Sequence, residues 1–81
     1  MMLDELKTAR KVVGVKQLRR SLREGKVVRA FLAENADPQL TDPLSEECVQ
    51  SGVELIMVPT MADLGKACGI SVGAAAAGIL A

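Results

Sequence analysis

Histidine is absent from this 81-residue chain. With it go the commonest general acid/base, the Ser–His and Cys–His nucleophile pairs and most zinc sites. Aromatic residues are almost as scarce: Phe31 stands alone, with no Trp or Tyr. Modules that read single strands by stacking bases on exposed aromatic platforms therefore do not fit, and the core must come from Leu, Val, Ile, Ala and Met. Cysteine is limited to Cys48 and Cys68, well separated and without CxxC spacing. That argues against a disulfide framework and for a reducing, cytoplasmic setting, with both thiols as small apolar core residues. The apolar stretch from Val72 to Ala81 is too short to cross a bilayer. The opening MMLDELKTARK carries early acids and lacks the apolar segment of a signal peptide.

Apolar residues make up 49% of the chain, enough for one modest core, and the length allows a single domain over residues 1–81. Net charge is zero, but the total hides a division. Residues 1–30 hold nine Lys/Arg against three acids, a net of +6, whereas residues 31–81 hold Lys66 against seven acids, a net of −6. Such asymmetry suits a polyanion-facing side and a solvated side.

Short elements alternate, each punctuated by Gly or Pro. Residues 3–11 read as a helix with Leu3, Leu6 and Ala9 inward, and residues 16–24 as a second, with Leu18 and Leu22 on one face and Gly25 at its C-terminal cap. VVRAFLAE (27–34) reads as a strand covered on both faces. ADPQLTDP reads as a turn, after which Asp42 caps a third helix with Pro43 at its first position, running to about Ser51. VELIMV (53–58) reads as a second buried strand, Thr60 caps a fourth helix with Asp63 three residues on, and residues 71–80 form the last strand. Helices alternating with apolar strands imply an α/β fold with helices on both faces of a parallel or mixed sheet.

Three segments could carry chemistry. On the second helix, Lys16, Arg20 and Arg23 fall within about 60° of one another, nearly opposite Leu18 and Leu22, with Arg19 at their flank. Gly14 precedes this helix and would let a ligand backbone approach an end that offers free N–H groups and partial positive charge. Lys16 and Gln17 could then reach base edges, Lys donating to guanine and Gln both donating and accepting. An ordinary amphipathic helix with a solvated polar face has the same pattern. The second segment, LGKACGISVG (64–73), fails the phosphate-loop test, having Thr60 and Ala67 where GxxxxGK[ST] needs Gly and Ser/Thr. Its Ile70-Ser71-Val72 stretch could pack inward or form an apolar lip for a flipped base. The third, Glu46 and Glu47, diverges on a helix and reads as solvated surface.

KVVGVKQLRRSLREGKV, the Ala36–Pro38 turn and VPTMADLGKACGISVGAAA together resemble the ribosomal L-seven-Ae family of kink-turn RNA-binding proteins, in particular its short bacterial branch. The likeness runs from about residue 4 to residue 80, and LGKACGI followed by GAAA is its most specific part. The resemblance implies a three-layer α/β/α sandwich around a small mixed sheet of four strands, the fourth falling around Lys11–Val13. It also implies a grip on kink-turns, in which a bulge lies beside tandem sheared G·A pairs. The family motif maps onto Gly14, Val15, Lys16 and Gln17, its downstream phosphate contact onto Arg20, and the loop flanking the extruded nucleotide onto Ile70, Ser71 and Val72. Lys16-Gln17 stands where the family usually has Asn-Glu, as it does in the bacterial branch. Gln17 replaces a charged acceptor with an amide whose hydrogen bonds are roughly half as strong, so some stringency should be lost.

The sequence thus leads us to expect a cytoplasmic, monomeric, non-catalytic RNA-binding protein with no cofactor, no metal and no membrane partner. Its target would be a kink-turn in ribosomal RNA, an mRNA leader or a riboswitch, with the ribosome itself a candidate partner. The alternative is a structural, protein-contacting subunit of a ribonucleoprotein particle, which the −6 portion could serve.

Overall fold

The computed structural model describes residues 5–81. Over that span the punctuated sequence becomes α1 (Glu5–Thr8), β1 (Lys11–Val13), α2 (Val15–Arg23), β2 (Val27–Ala33), α3 (Pro38–Ser51), β3 (Glu54–Val58), α4 (Met61–Ala67) and β4 (Ala76–Leu80). The strands form one mixed sheet in the order β1-β4-β2-β3. β4 runs antiparallel to both of its neighbours, while β2 and β3 are parallel. Hence β1, β2 and β3 all point one way, and the junctions that follow them lie at one end of the sheet.

Strand alternation sorts side chains onto two faces. On one, Leu18 and Leu22 of α2 and Leu44 and Cys48 of α3 pack over Val27, Ala30, Leu32 and Ala76. On the other, Leu6 of α1 and Leu64, Ala67 and Cys68 at α4 pack over Phe31, Ala33, Val58, Ala77 and Ile79. This is the expected three-layer α/β/α sandwich, and β1 is the short fourth strand. In β4, Ala76 and Gly78 leave room for α2 to come close. A Cβ on Gly78 would lie 2.6 Å from Leu18 Cδ1, so the helix rests directly on the strand backbone.

Four sequence expectations change. The third helix starts at Pro38, five residues before the predicted first position, and Pro43 falls inside it. The first Asp–Pro step takes the capping role: Gln39 N–H donates to Asp37 Oδ1 at 2.9 Å, and Pro38 occupies the first helical position, where its missing N–H costs nothing. Pro43 cannot donate to the Gln39 carbonyl, but Gln39 is exposed and water can serve that oxygen. β3 is not buried on both faces. It is an edge strand whose Met57 is half exposed and in which Val58 alone is fully buried. The last strand begins at Ala76, and residues 70–75 form a loop. Among the described residues the first helix spans Glu5–Thr8 and ends before the predicted residue 11, with Leu6 buried and Ala9 packed against the same core; Leu3 lies outside the described residues.

Candidate functional site

The β1–α2 junction turns at Gly14, with φ 112° and ψ 155°, a conformation that L side chains rarely adopt. No side chain caps the helix that follows. The N–H groups of its first turn, which have no partner within the helix, stay available to an anion, and the macrodipole adds partial positive charge there. Gly14 itself is anchored: its N–H donates to the Ala76 carbonyl at 2.8 Å. Ala76 is the first residue of β4, directly after the 70–75 loop. That one bond ties the two segments singled out in the sequence to the same end of the sheet.

The predicted residues divide by environment. Lys16, Gln17 and Arg20 are exposed, whereas Val15 is half-buried against the Leu18–Leu22 core. Gln17 folds back so that its Oε1 lies over Gly14, in the space a Cβ would need. Reaching a base edge therefore requires Gln17 to swing outward, and any side chain at position 14 would collide with it as it stands. Lys16, Arg19, Arg20, Arg23 and Glu24 line an open groove of about 390 Å³ along α2. In the loop, Ile70, Ser71 and Val72 are all exposed, and 69% of Val72 faces solvent. This exposure does not match inward packing, one of the two readings of the stretch.

The loop is held from several sides. Thr60 Oγ1 accepts from Asp63 N–H at 3.0 Å and caps α4 as expected. Asn35, which the sequence reading passed over, does as much: its Oδ1 accepts from Met61 N–H at 2.8 Å, linking the β2–α3 junction to α4. Ala33 N–H donates to Ala75 O at 2.9 Å and continues the sheet pairing into the loop's end. A short polar side chain just after an apolar strand was the available signal for Asn35, but its partner lies 26 residues away.

The cations of α2 are not equivalent. Arg19 Nε donates to Glu47 Oε1 at 2.9 Å, an ion pair joining α2 to α3. Glu47 is thus a structural partner, contrary to its expected role as solvated surface, while Glu46 is exposed. Arg20 is 83% exposed and lies 3.9 Å from Glu24, which also sits 3.5 Å from Lys26. Both cysteines are free and buried away from this groove. Burial pushes the Cys48 thiol above its ordinary value, and the nearby Glu47 carboxylate adds to the effect. Burial also raises Cys68, against the opposing pull of Lys11. Neither is an activated thiolate.

Residues 2–81 match the model of the ribosomal protein L7Ae/L30e/S12e/Gadd45 family. The chain belongs to that family. A relative within it, an RNA-binding protein of Geobacillus sp. (strain WCH70), is 44% identical over 75 residues, covering 93% of this chain and 92% of that protein. The large ribosomal subunit protein eL8 of Halobacterium salinarum is 32% identical over 84 residues, covering 98% of this chain and 70% of its own. The solved structure of a Giardia lamblia 15.5kD RNA binding protein superposes with a TM-score of 0.90 at 26% identity, over 99% of this chain and 71% of that one. The family fold also appears in a Bacillus halodurans protein of unknown function, with a TM-score of 0.85 at 21% identity.

Proposed function

We propose that the chain is a non-catalytic RNA-binding protein that recognises kink-turns and stabilises their bent form. The uncapped start of α2, from Gly14 to Gln17, docks in the major groove against the sheared G·A pairs. Arg20 contacts the phosphate backbone, and Ile70, Ser71 and Val72 flank the extruded bulge nucleotide. The observation that carries this reading is the 2.8 Å bond from Gly14 N–H to Ala76 O, which holds the start of α2 at the end of the sheet where the 70–75 loop enters β4. A straight duplex offers guanine edges or an everted nucleotide singly. A sharp bend offers both at once, so the two-part surface favours the bent population. The relatives named as RNA-binding proteins, and the kink-turn grip that the sequence resemblance implies, support the same reading.

The groove supplies cations and hydrogen-bond donors and needs no turnover. We take the protein to act as a cytoplasmic monomer, on ribosomal RNA, an mRNA leader or a riboswitch; sequencing RNA crosslinked to it in cells distinguishes these targets. The decisive test is a titration against a kink-turn duplex and against the same duplex with Watson–Crick pairs replacing its G·A pairs. Preferential binding of the first is expected, and equal affinities would overturn the proposal. Replacing Lys16 and Gln17 together by Ala should weaken kink-turn binding by about tenfold or more, since each base contact contributes ~1–3 kcal/mol of discrimination.

A further inference from the structure

The loop that carries Ile70, Ser71 and Val72 is seated on a glycine inside a helix. Gly65 is buried within α4, between Leu64 and Lys66, and the helix continues past it to Ala67. Its φ is not positive, so no turn requires glycine there. Glycine in a helix interior is less stable than alanine, and some other constraint must hold it in place. That constraint is the loop. The Val72 carbonyl oxygen occupies the position a Cβ on Gly65 would take, with Val72 C and Gly73 Cα each 3.1 Å from that point. All three contacts are backbone, which cannot rotate aside as a side-chain tip can.

Other contacts complete the seat. Ile70 N–H donates to Gly65 O at 3.0 Å, and Ala74 N–H donates to Met61 O at 3.0 Å, so both ends of the loop are bonded to α4. Gly73 lies against Met61, where a Cβ would come within 3.1 Å of Met61 Cβ. The loop is pressed flat onto α4 between these bonds, and Val72 still presents an exposed side chain.

We propose that Gly65 is a positioning residue for RNA: it sets the height of the Ile70–Ser71–Val72 lip so that the lip meets the everted nucleotide. This inference rests on the kink-turn reading above. A methyl at position 65 lifts the Val72 backbone off the helix and moves the lip, without touching the basic face of α2.

The test is a cycle of two proteins and two RNAs. Wild type and Gly65→Ala are titrated against a kink-turn duplex and against the same duplex with the everted nucleotide made abasic. Gly65→Ala should lose about tenfold on the intact RNA and less than about twofold on the abasic one. With 2-aminopurine at the everted position, the fluorescence change on saturation should also differ between the two proteins. Equal losses on both RNAs, with unchanged 2-aminopurine signals, would mean that Gly65 serves packing alone and would overturn the inference. In that outcome wild type still prefers the kink-turn over its Watson–Crick control. Loss of that preference instead removes the kink-turn reading, and the role of Gly65 falls with it. If circular dichroism shows Gly65→Ala unfolded, Gly73→Ala disturbs the same seat from the loop side by a milder contact. Its loss must likewise be confined to the RNA that carries the everted base.

Discussion

Salt dependence separates two adjacent arginines. Arg20 is 83% exposed, and its Glu24 partner stands 3.9 Å away. Such an exposed pair is worth ~0–1 kcal/mol, so Arg20 can turn to a phosphate at small cost. Arg19 is 45% exposed and already spans to α3, its Nε 2.9 Å from Glu47 Oε1. Binding a phosphate would break that contact. We therefore count Lys16 at the base edges and Arg20 and Arg23 at phosphates as the cations whose docking releases counterions, and leave Arg19 out. At ~0.9 per contact on duplex-like RNA, log K against log salt should have a slope of about −2.7. Affinity then falls about 40-fold between roughly 50 and 200 mM salt. Arg20→Ala should flatten the slope to about −1.8, reducing that fall to about 12-fold. Arg19→Ala should leave the slope alone and appear in stability, a loss of up to ~1 kcal/mol that lowers Tm by a few degrees. Fluorescence anisotropy on one labelled kink-turn duplex across a potassium chloride series measures both slopes. If Arg19→Ala flattens the slope as much as Arg20→Ala, or Arg20→Ala leaves it unchanged, the division of labour along α2 is wrong.

Glu24 lies near both Arg20 and Lys26, so a phosphate must compete with it; Glu24→Gln should raise RNA affinity about twofold at low salt and much less at high salt, and no gain at low salt would count against the groove. Gly78→Ala drives a methyl to 2.6 Å from the buried Leu18 Cδ1. Overpacking of this kind costs ~1–3 kcal/mol, so a thermal melt should show Tm down by at least about 4 °C. Both thiols have folded-state pKa values raised above the ordinary 9.0. Above that pH the unfolded chain holds fewer protons than the folded one, so the thiols' contribution to stability is complete at neutral pH and falls as pH rises past about 9. Urea titrations should show this alkaline loss, reduced in a Cys48→Ala/Cys68→Ala variant despite its lower stability at neutral pH.

Elements whose boundaries rest on local chemistry were legible in the sequence. Thr60 caps α4, and Leu18 and Leu22 face the core, because capping geometry and helical period are properties of a few neighbouring residues. Boundaries that depend on distant partners were not. Asp37-Pro38 and Asp42-Pro43 carry the same local signal, and the observed start uses the earlier one because Thr41 and Leu44 both find burial on a helix begun there. The apolar run of residues 71–80 reads equally well as strand throughout; its first part is loop because Ala74 N–H bonds to Met61 O instead of continuing the sheet. β3 has the composition of a central strand, and only the sheet order shows it at the edge. In the candidate site, the basic face and the Gly14 entry were readable from spacing. The backward fold of Gln17, the Arg19–Glu47 pair and the Asn35 cap were not, since each depends on contacts set by the fold.

The antiparallel strand in the middle of the sheet brings two segments far apart in sequence to the same end of the sheet. Had β4 been added at an edge, beyond β3, its preceding loop would lie two strands from Gly14. Inserted between β1 and β2, it pairs Val13 with Ala77 and brings the end of the 70–75 loop to the β1–α2 junction, where Gly14 N–H bonds to Ala76 O. The same strand is buried on both faces, and through Gly78 it carries the close seat of Leu18. On the proposed reading, substitutions in β4 should disturb core and proposed RNA surface together, because the Gly14–Ala76 hydrogen bond belongs to the strand that anchors the core. Substitutions at Lys16, Arg20 or Arg23 alter exposed side chains, with the exposed Arg20–Glu24 pair adding little stability, and should change binding while barely moving the melt. A correlation between stability and affinity across β4 variants, and none across α2 surface variants, is the pattern this topology requires.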